Sequence, residues 1–118
     1  MTLTTDIGLK GEEIATQYLV SIGYNILGRN VRIGRDEIDI VARDPVDDVV
    51  VFAEVKTRSR DSKDFPPGLN IHWYKKQRLI RSARMWVNAH HYDRGYRMDL
   101  VSVAEGKVIE HLKELDWE

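Results

Sequence analysis

The longest apolar run in the chain is Val49-Val50-Val51-Phe52-Ala53, and Glu54-Val55-Lys56 follows it directly. Side chains of an extended strand alternate between its two faces, so a strand that is apolar at every position needs cover on both sides. The run therefore reads as an interior strand of a sheet with a packed layer on each face. Glu54 and Lys56, two residues apart at its end, share one face while Val55 takes the other. Charge placed at the end of an interior strand needs a physical reason.

The rest of the chain fits such a sheet. Its 118 residues are 42% hydrophobic and 31% charged, the balance of a folded domain rather than a disordered chain, and its length suits one domain over residues 1–118. A run of five falls far short of the ~18 apolar residues of a membrane-spanning helix, so no membrane partner is expected. The first ten residues lack a basic patch followed by an apolar stretch, and a cytoplasmic location is expected. Cys is absent, so disulfides, thiolate zinc sites and cysteine nucleophiles are excluded. Any metal chemistry must use oxygen or imidazole.

Residues 5–23 have the pattern of an amphipathic helix, with Thr5 or Asp6 as cap, Gly23 as stop, and an apolar stripe of Ile7, Ile14, Ala15, Tyr18, Leu19 and Ile22. Gly8 and Gly11 fall on that stripe, which predicts a close approach to the sheet. Glu12 lies on its inward edge and Glu13 points to solvent. Three strands follow at 24–32, 37–43 and 48–57, then a polar loop at 58–70 and a second helix at 71–90. That helix carries Leu79, Ile80, Ala83, Trp86 and Val87 on its apolar side, with Arg78, Arg81, Ser82 and Arg84 largely off it. Two last strands, 96–104 and 107–112, are joined by a turn at Glu105-Gly106. The expected fold class is α/β, a mixed sheet flanked by helices in the order α-β-β-β-α-β-β.

A net charge of −1 conceals a segregation along the chain. Residues 56–97 hold eleven basic residues and three acids, a surplus of +8, and the flanks hold the other sixteen acids. A polyanion suits the first region and a divalent cation the second. A solvated helix face is the plainer alternative for the basic residues.

On the strand before the interior one, Glu37 and Asp39 share a face, with Ile38 and Ile40 on the other. A hairpin register that sets Asp39 opposite Glu54 makes a carboxylate cluster, and Mg²⁺ or Mn²⁺ is the natural compensating charge for it. Lys56 then stands where it can stabilise a phosphate or an attacking hydroxide. A surface ion pair between Glu54 and Lys56 remains the simpler alternative. The four histidines, His72, His90, His91 and His111, lack the i, i+4 spacing of a zinc helix. Trp86 falls on the core stripe, and Trp73 is the better candidate for stacking on a base.

Gly8-x-x-Gly11-Glu12-x-x-Ala15, the segment from Gly23-Tyr24 to Asn30, Glu37-Ile38-Asp39, Phe52-x-Glu54-Val55-Lys56-Thr57-Arg58, Ile71-x-x-x-Lys75 and Arg97-x-Asp99 are separated motifs along nearly the whole chain. Together they resemble the YraN-like family of predicted endonucleases. The resemblance implies a restriction-endonuclease-like fold with a PD-(D/E)xK active site, similar to archaeal Holliday junction resolvases. Carried over by position, Asp39 and Glu54 are the metal ligands, Lys56 is the motif lysine and Glu12 is the helical acid that closes the site. Ile38 stands where the motif has its proline. Residues 60–70 follow the family pattern only loosely, and no contacts are assigned there.

The expected activity is a Mg²⁺-dependent endonuclease on DNA, branched or structured forms included. Asp39, Glu54 and the Val55 carbonyl would hold the metal, Glu12 would orient the water, and Arg58, Arg60, Lys75 and Arg78 would neutralise nearby phosphates. The rival is a non-catalytic nucleic-acid-binding or adaptor module on the same fold. A third alternative is a protein-interaction domain whose carboxylates only pair with Lys and Arg. A homodimer is compatible with the sequence but not shown by it.

Overall fold

The computed structural model describes the backbone of residues 3–58 and 73–113 and the side chains of residues 10–58 and 76–113. Seven elements occur in the expected order: α1 (Leu3–Ser21), β1 (Asn25–Ile33), β2 (Asp36–Asp44), β3 (Val49–Arg58), α2 (Trp73–Ala89), β4 (Tyr96–Ala104) and β5 (Lys107–Leu112). The five strands form one sheet in chain order, so the apolar β3 is central. β3 and β4 are parallel and the other neighbours antiparallel. A parallel pair requires a crossover, and α2 lies within it. No helix among the described residues is long and apolar enough to cross a membrane.

Two apolar layers cover the sheet. On the α1 side Ala15 and Leu19 pack with Ile40, Ala42, Val51, Ala53, Val101 and Val103. On the α2 side Leu79 and Ala83 pack with Ile38, Val41, Val50, Phe52 and Met98. β3 feeds both layers by strand alternation, as an interior strand must. Trp86 belongs to the second layer, its ring 5.4 Å from that of Phe52.

Several sequence expectations are corrected. α1 begins at Leu3, ahead of the expected cap at Thr5 or Asp6, and ends at Ser21. Gly23, with φ of 100°, closes a Schellman motif: the amide of Tyr24 donates to the Leu19 carbonyl (2.9 Å) and that of Gly23 to Val20 (3.0 Å). Ile22 lies beyond the last helical turn and is exposed rather than part of the stripe. Ser82 is buried, because its hydroxyl donates to the Arg78 carbonyl and lies 3.3 Å from Asp36 Oδ2. Ile38 and Ile40 do not share a face, since Ile38 joins the α2 layer and Ile40 the α1 layer. The β1–β2 register passes from Arg29↔Ile40 to Val31↔Ile38 across Asn30, whose φ of 50° interrupts regular pleating opposite Asp39.

Candidate active site

The register between β2 and β3 runs from Asp44↔Val49 to Ile40↔Ala53 and stops there. The next pair would be Asp39↔Glu54, as the sequence suggests. Beyond that point β2 stays paired with β1 as far as Asp36, and β3 stays paired with β4 as far as Arg58. The two central strands therefore diverge into a fork. At its apex an Asp39 side chain replaces the missing backbone bond: Oδ2 accepts from the Val55 amide at 2.8 Å. The N–H and C=O of one residue leave an extended strand on the same edge, so the Val55 carbonyl also faces the gap.

Glu54 is 8% exposed on the α2 side of the fork, where Arg78 Nη2 donates to its Oε1 at 3.2 Å. Alternation along β3 puts Lys56, which is half-buried, on the same side. Glu12 arrives from the opposite layer. It is brought in by Gly11, which is buried against β3: a methyl group built on Gly11 would overlap the Thr57 hydroxyl. Only a residue without a side chain allows α1 this close.

Glu12 Oε1 is buried with no hydrogen-bond partner among the described residues. Burial, followed by the neighbouring Asp39 carboxylate, pushes the Glu12 pKa above its ordinary value, and a hydrogen bond with Asn30 offsets this in part. Glu13 is exposed instead, 3.4 Å from Arg29. The different fates of the two acids agree with the helical angles read from the sequence.

Glu12, Asp39, Glu54 and the Val55 carbonyl are hard oxygen donors of the kind that Mg²⁺ and Mn²⁺ prefer. A buried carboxylate oxygen without a donor, beside a second carboxylate, fits a cation. Among the described residues no three acidic or imidazole side chains converge as a ready metal cage. Asp39 is engaged with Val55 and Glu54 with Arg78.

Of the residues expected to meet phosphates, Arg58 is buried at the end of β3 and lines a cavity of about 200 Å³ with Lys10, Gly11 and Thr57. Arg78 bonds Glu54 while its side chain stays 39% exposed. Lys75 lies in the first turn of α2, its side chain outside the described region, and Arg60 lies outside the described residues. So does the expected helix segment 71–72.

Sequence reasoning missed a second polar cluster, on the α1 side one register step behind the fork. Asp99 is fully buried and pairs in the β3–β4 register with Ala53. Arg97 donates to it through Nε (2.8 Å) and Nη2 (3.1 Å), and His111 Nε2 lies 2.7 Å away. The Tyr18 hydroxyl is 3.0 Å from His111 Nδ1, so the two ring nitrogens link the Asp99 carboxylate of β4 to α1. Arg97 also reaches Asp44, Asp47 and the Tyr24 hydroxyl. Burial alone would lower the Arg97 pKa, but Asp99 more than compensates and it is raised. Arg97-x-Asp99 was a local signal; the parts of β5 and α1 were not.

The model for Uncharacterised protein family UPF0102 matches residues 11–103, most of the chain. The chain belongs to UPF0102. A UPF0102 protein of Pelobacter propionicus is 42% identical over 97 residues, spanning 81% of this chain and 69% of the relative. One of Prosthecochloris aestuarii is 38% identical over 115 residues, 96% of this chain and 88% of the relative. A longer one, of Oleidesulfovibrio alaskensis, is 43% identical over 97 residues, 81% of this chain but 46% of its own length. The span matched to UPF0102 contains Glu12, Asp39, Glu54, Lys56, Arg97 and Asp99 and excludes His111.

Proposed function

We propose that this UPF0102 protein is a Mg²⁺- or Mn²⁺-dependent endonuclease that hydrolyses DNA phosphodiester bonds in the cytoplasm, with a PD-(D/E)xK site on a restriction-endonuclease-like fold. The observation that carries this reading is the fork itself. The β2–β3 ladder ends one step short of Asp39 and Glu54, where Asp39 bonds the Val55 amide, and α1 brings in Glu12, one carboxylate oxygen of which is buried with no hydrogen-bond partner among the described residues. Leaving a buried carboxylate oxygen without a donor costs stability, and a bound cation would offset that cost.

Asp39, Glu54 and the Val55 carbonyl would hold the ion, which when bound lowers the pKa of water and neutralises charge on the scissile phosphate. Glu12 orients the water, its raised pKa suiting it to accept a proton as attack proceeds. Lys56 stabilises the anionic oxygens of the phosphate. Branched and structured DNA are the substrates to test first.

The engagement of Glu54 by Arg78 favours a second reading, a nucleic-acid-binding or adaptor module that turns over nothing. Purified protein incubated with labelled single-stranded, duplex, flapped and four-way DNA, in Mg²⁺, Mn²⁺ or EDTA, separates the two. Cleavage that requires the metal and disappears in Asp39→Asn supports the nuclease. Salt-dependent binding without cleavage in either metal supports the module.

A further inference from the structure

The turn between β1 and β2 meets α2 outside the fork. Gly34, with φ of 59°, sits where an added methyl would come within 2.8 Å of Met85 Cε, so the turn is pressed onto the helix. Between them lies a cavity of about 390 Å³ lined by Gly34, Arg35, Asp36, Arg81 and Met85. Asp36 is 8% exposed and a single oxygen of it, Oδ2, takes both Arg81 Nε (3.1 Å) and Arg81 Nη2 (2.7 Å). Ser82 Oγ lies 3.3 Å from the same oxygen. The Arg81 side chain is nevertheless 58% exposed.

These distances fix how the guanidinium is used. Its Nε–Nη2 edge is spent on Asp36, and its Nη1–Nη2 edge remains for a planar bidentate contact. Arg35, exposed on the other wall, has no partner among the described residues. We propose that Arg81, aimed by Asp36, and Arg35 form a phosphate-binding subsite for the backbone of a nucleic acid. The proposal rests on the nucleic-acid reading above and adds where the chain runs. Arg81 lies three residues, about 4.5 Å of helix rise, beyond Arg78, which holds Glu54. Asp36 lies three residues before Asp39 on the same arm of the fork. The strand would thus leave the fork along α2 toward the β1–β2 turn. Asp36 is a positioning residue that keeps one exposed arginine rigid, which lowers the ordering cost of each phosphate contact. Hydrogen bonding from Arg81 holds its carboxyl below the ordinary range, so it stays ionised at neutral pH.

The test is fluorescence anisotropy of labelled single-stranded and duplex oligonucleotides across a KCl series in EDTA, where no cleavage interferes. Arg81→Gln and Arg35→Gln should each reduce the log–log salt slope, by about 0.9 for duplex or 0.7 for single strands. Asp36→Asn makes the protein more positive and should still weaken binding, by about two- to five-fold, because Arg81 loses its aim. A mere electrostatic field predicts the opposite sign, and tighter binding by Asp36→Asn overturns the positioning role. If Asp36→Asn fails to fold, Arg81→Lys, which keeps the charge but not the fork geometry, should weaken binding with the slope unchanged. Wild-type slopes retained in the Arg81→Gln, Arg35→Gln double variant overturn the subsite and leave the nuclease reading standing. Absence of salt-dependent binding by the wild type overturns both. Equal competition by poly-glutamate overturns the subsite in favour of an acidic protein partner.

Discussion

Glu12 enters the fork at a cost, and its charge is the measurable part. Its folded pKa is raised above 4.5 by burial and by Asp39. A raised carboxylate favours the folded state below its ordinary pKa, and that advantage is lost as pH climbs through the folded value. Glu12→Gln, which keeps the shape and removes the charge, should raise the thermal midpoint at pH 7 and flatten its fall between pH 4 and neutrality, the region beginning near the ordinary value. Mg²⁺ or Mn²⁺ should stabilise the wild type and do so less in Glu12→Gln. A lower midpoint in EDTA at pH 7 would show that the carboxylate is satisfied after all. Arg78 is coupled to the same chemistry, because it neutralises Glu54. Arg78→Gln removes one cation that competes for Glu54 and should tighten Mn²⁺ binding by about two- to five-fold, given a pair worth up to ~1 kcal/mol, as read by electron paramagnetic resonance. Asp99 behaves differently, being a structural acid. Asp99→Asn removes the fully buried charge that faces the largely buried Arg97 and should cost on the order of 3 kcal/mol of stability in denaturant titrations.

At the scale of elements, α1 and β3 meet at Gly11 and Thr57 without room for a methyl group. Gly11→Ala should push α1 outward, destabilise the fold by roughly 1–3 kcal/mol despite a better helix propensity, and abolish the metal-induced stabilisation that depends on Glu12. Adding Thr57→Ala removes the overlapping hydroxyl and should recover part of the loss; strict additivity in that double-mutant cycle would deny the contact. The glycine was legible from its place on the apolar stripe, as were the central strand from its unbroken apolar run and the facing ends of β4 and β5 from the Glu105-Gly106 turn. Both turn residues have positive φ, the type I′ signature. The fork was legible only as a register. That the ladder would end at Ala53, with Asp39 bonding the Val55 amide instead, is a tertiary outcome, found where Asn30 of a third strand takes a left-handed conformation opposite Asp39. His111 was illegible for a related reason: it meets Asp99 and Tyr18 only when β5 closes the sheet, and no local periodicity reports contacts 12 and 93 residues apart.

For the whole molecule, the +8 of residues 56–97 overstates the basic face. Arg97 is consumed by Asp99, Asp44 and Asp47 on the α1 side, and Arg94 stands 3.5 Å from Asp48, away from the fork. Arg35 lies outside that segment of sequence yet beside Arg81 in space. The field that a polyanion meets is therefore set by which cations face the α2 side rather than by their order along the chain. Glu54 and Lys56 share that side, and their removal should act oppositely on DNA binding. In EDTA, Glu54→Ala deletes a negative charge and frees the Arg78 guanidinium, so affinity for duplex DNA should rise about two- to five-fold. Lys56→Ala removes an attractive charge at the fork and should lower affinity modestly, with the salt slope smaller by up to about 0.9. In Mg²⁺ the two variants should converge, each losing nuclease activity almost as completely as the double variant, because groups that act on one transition state do not contribute independently. Glu54→Ala binding DNA more tightly yet cleaving nothing is the outcome that separates a metal ligand from a merely structural acid. Metal-dependent cleavage surviving in a rigorously purified Glu54→Ala, Lys56→Ala protein would assign the activity to another site or a contaminant, and the binding module would then be the better account of the fork.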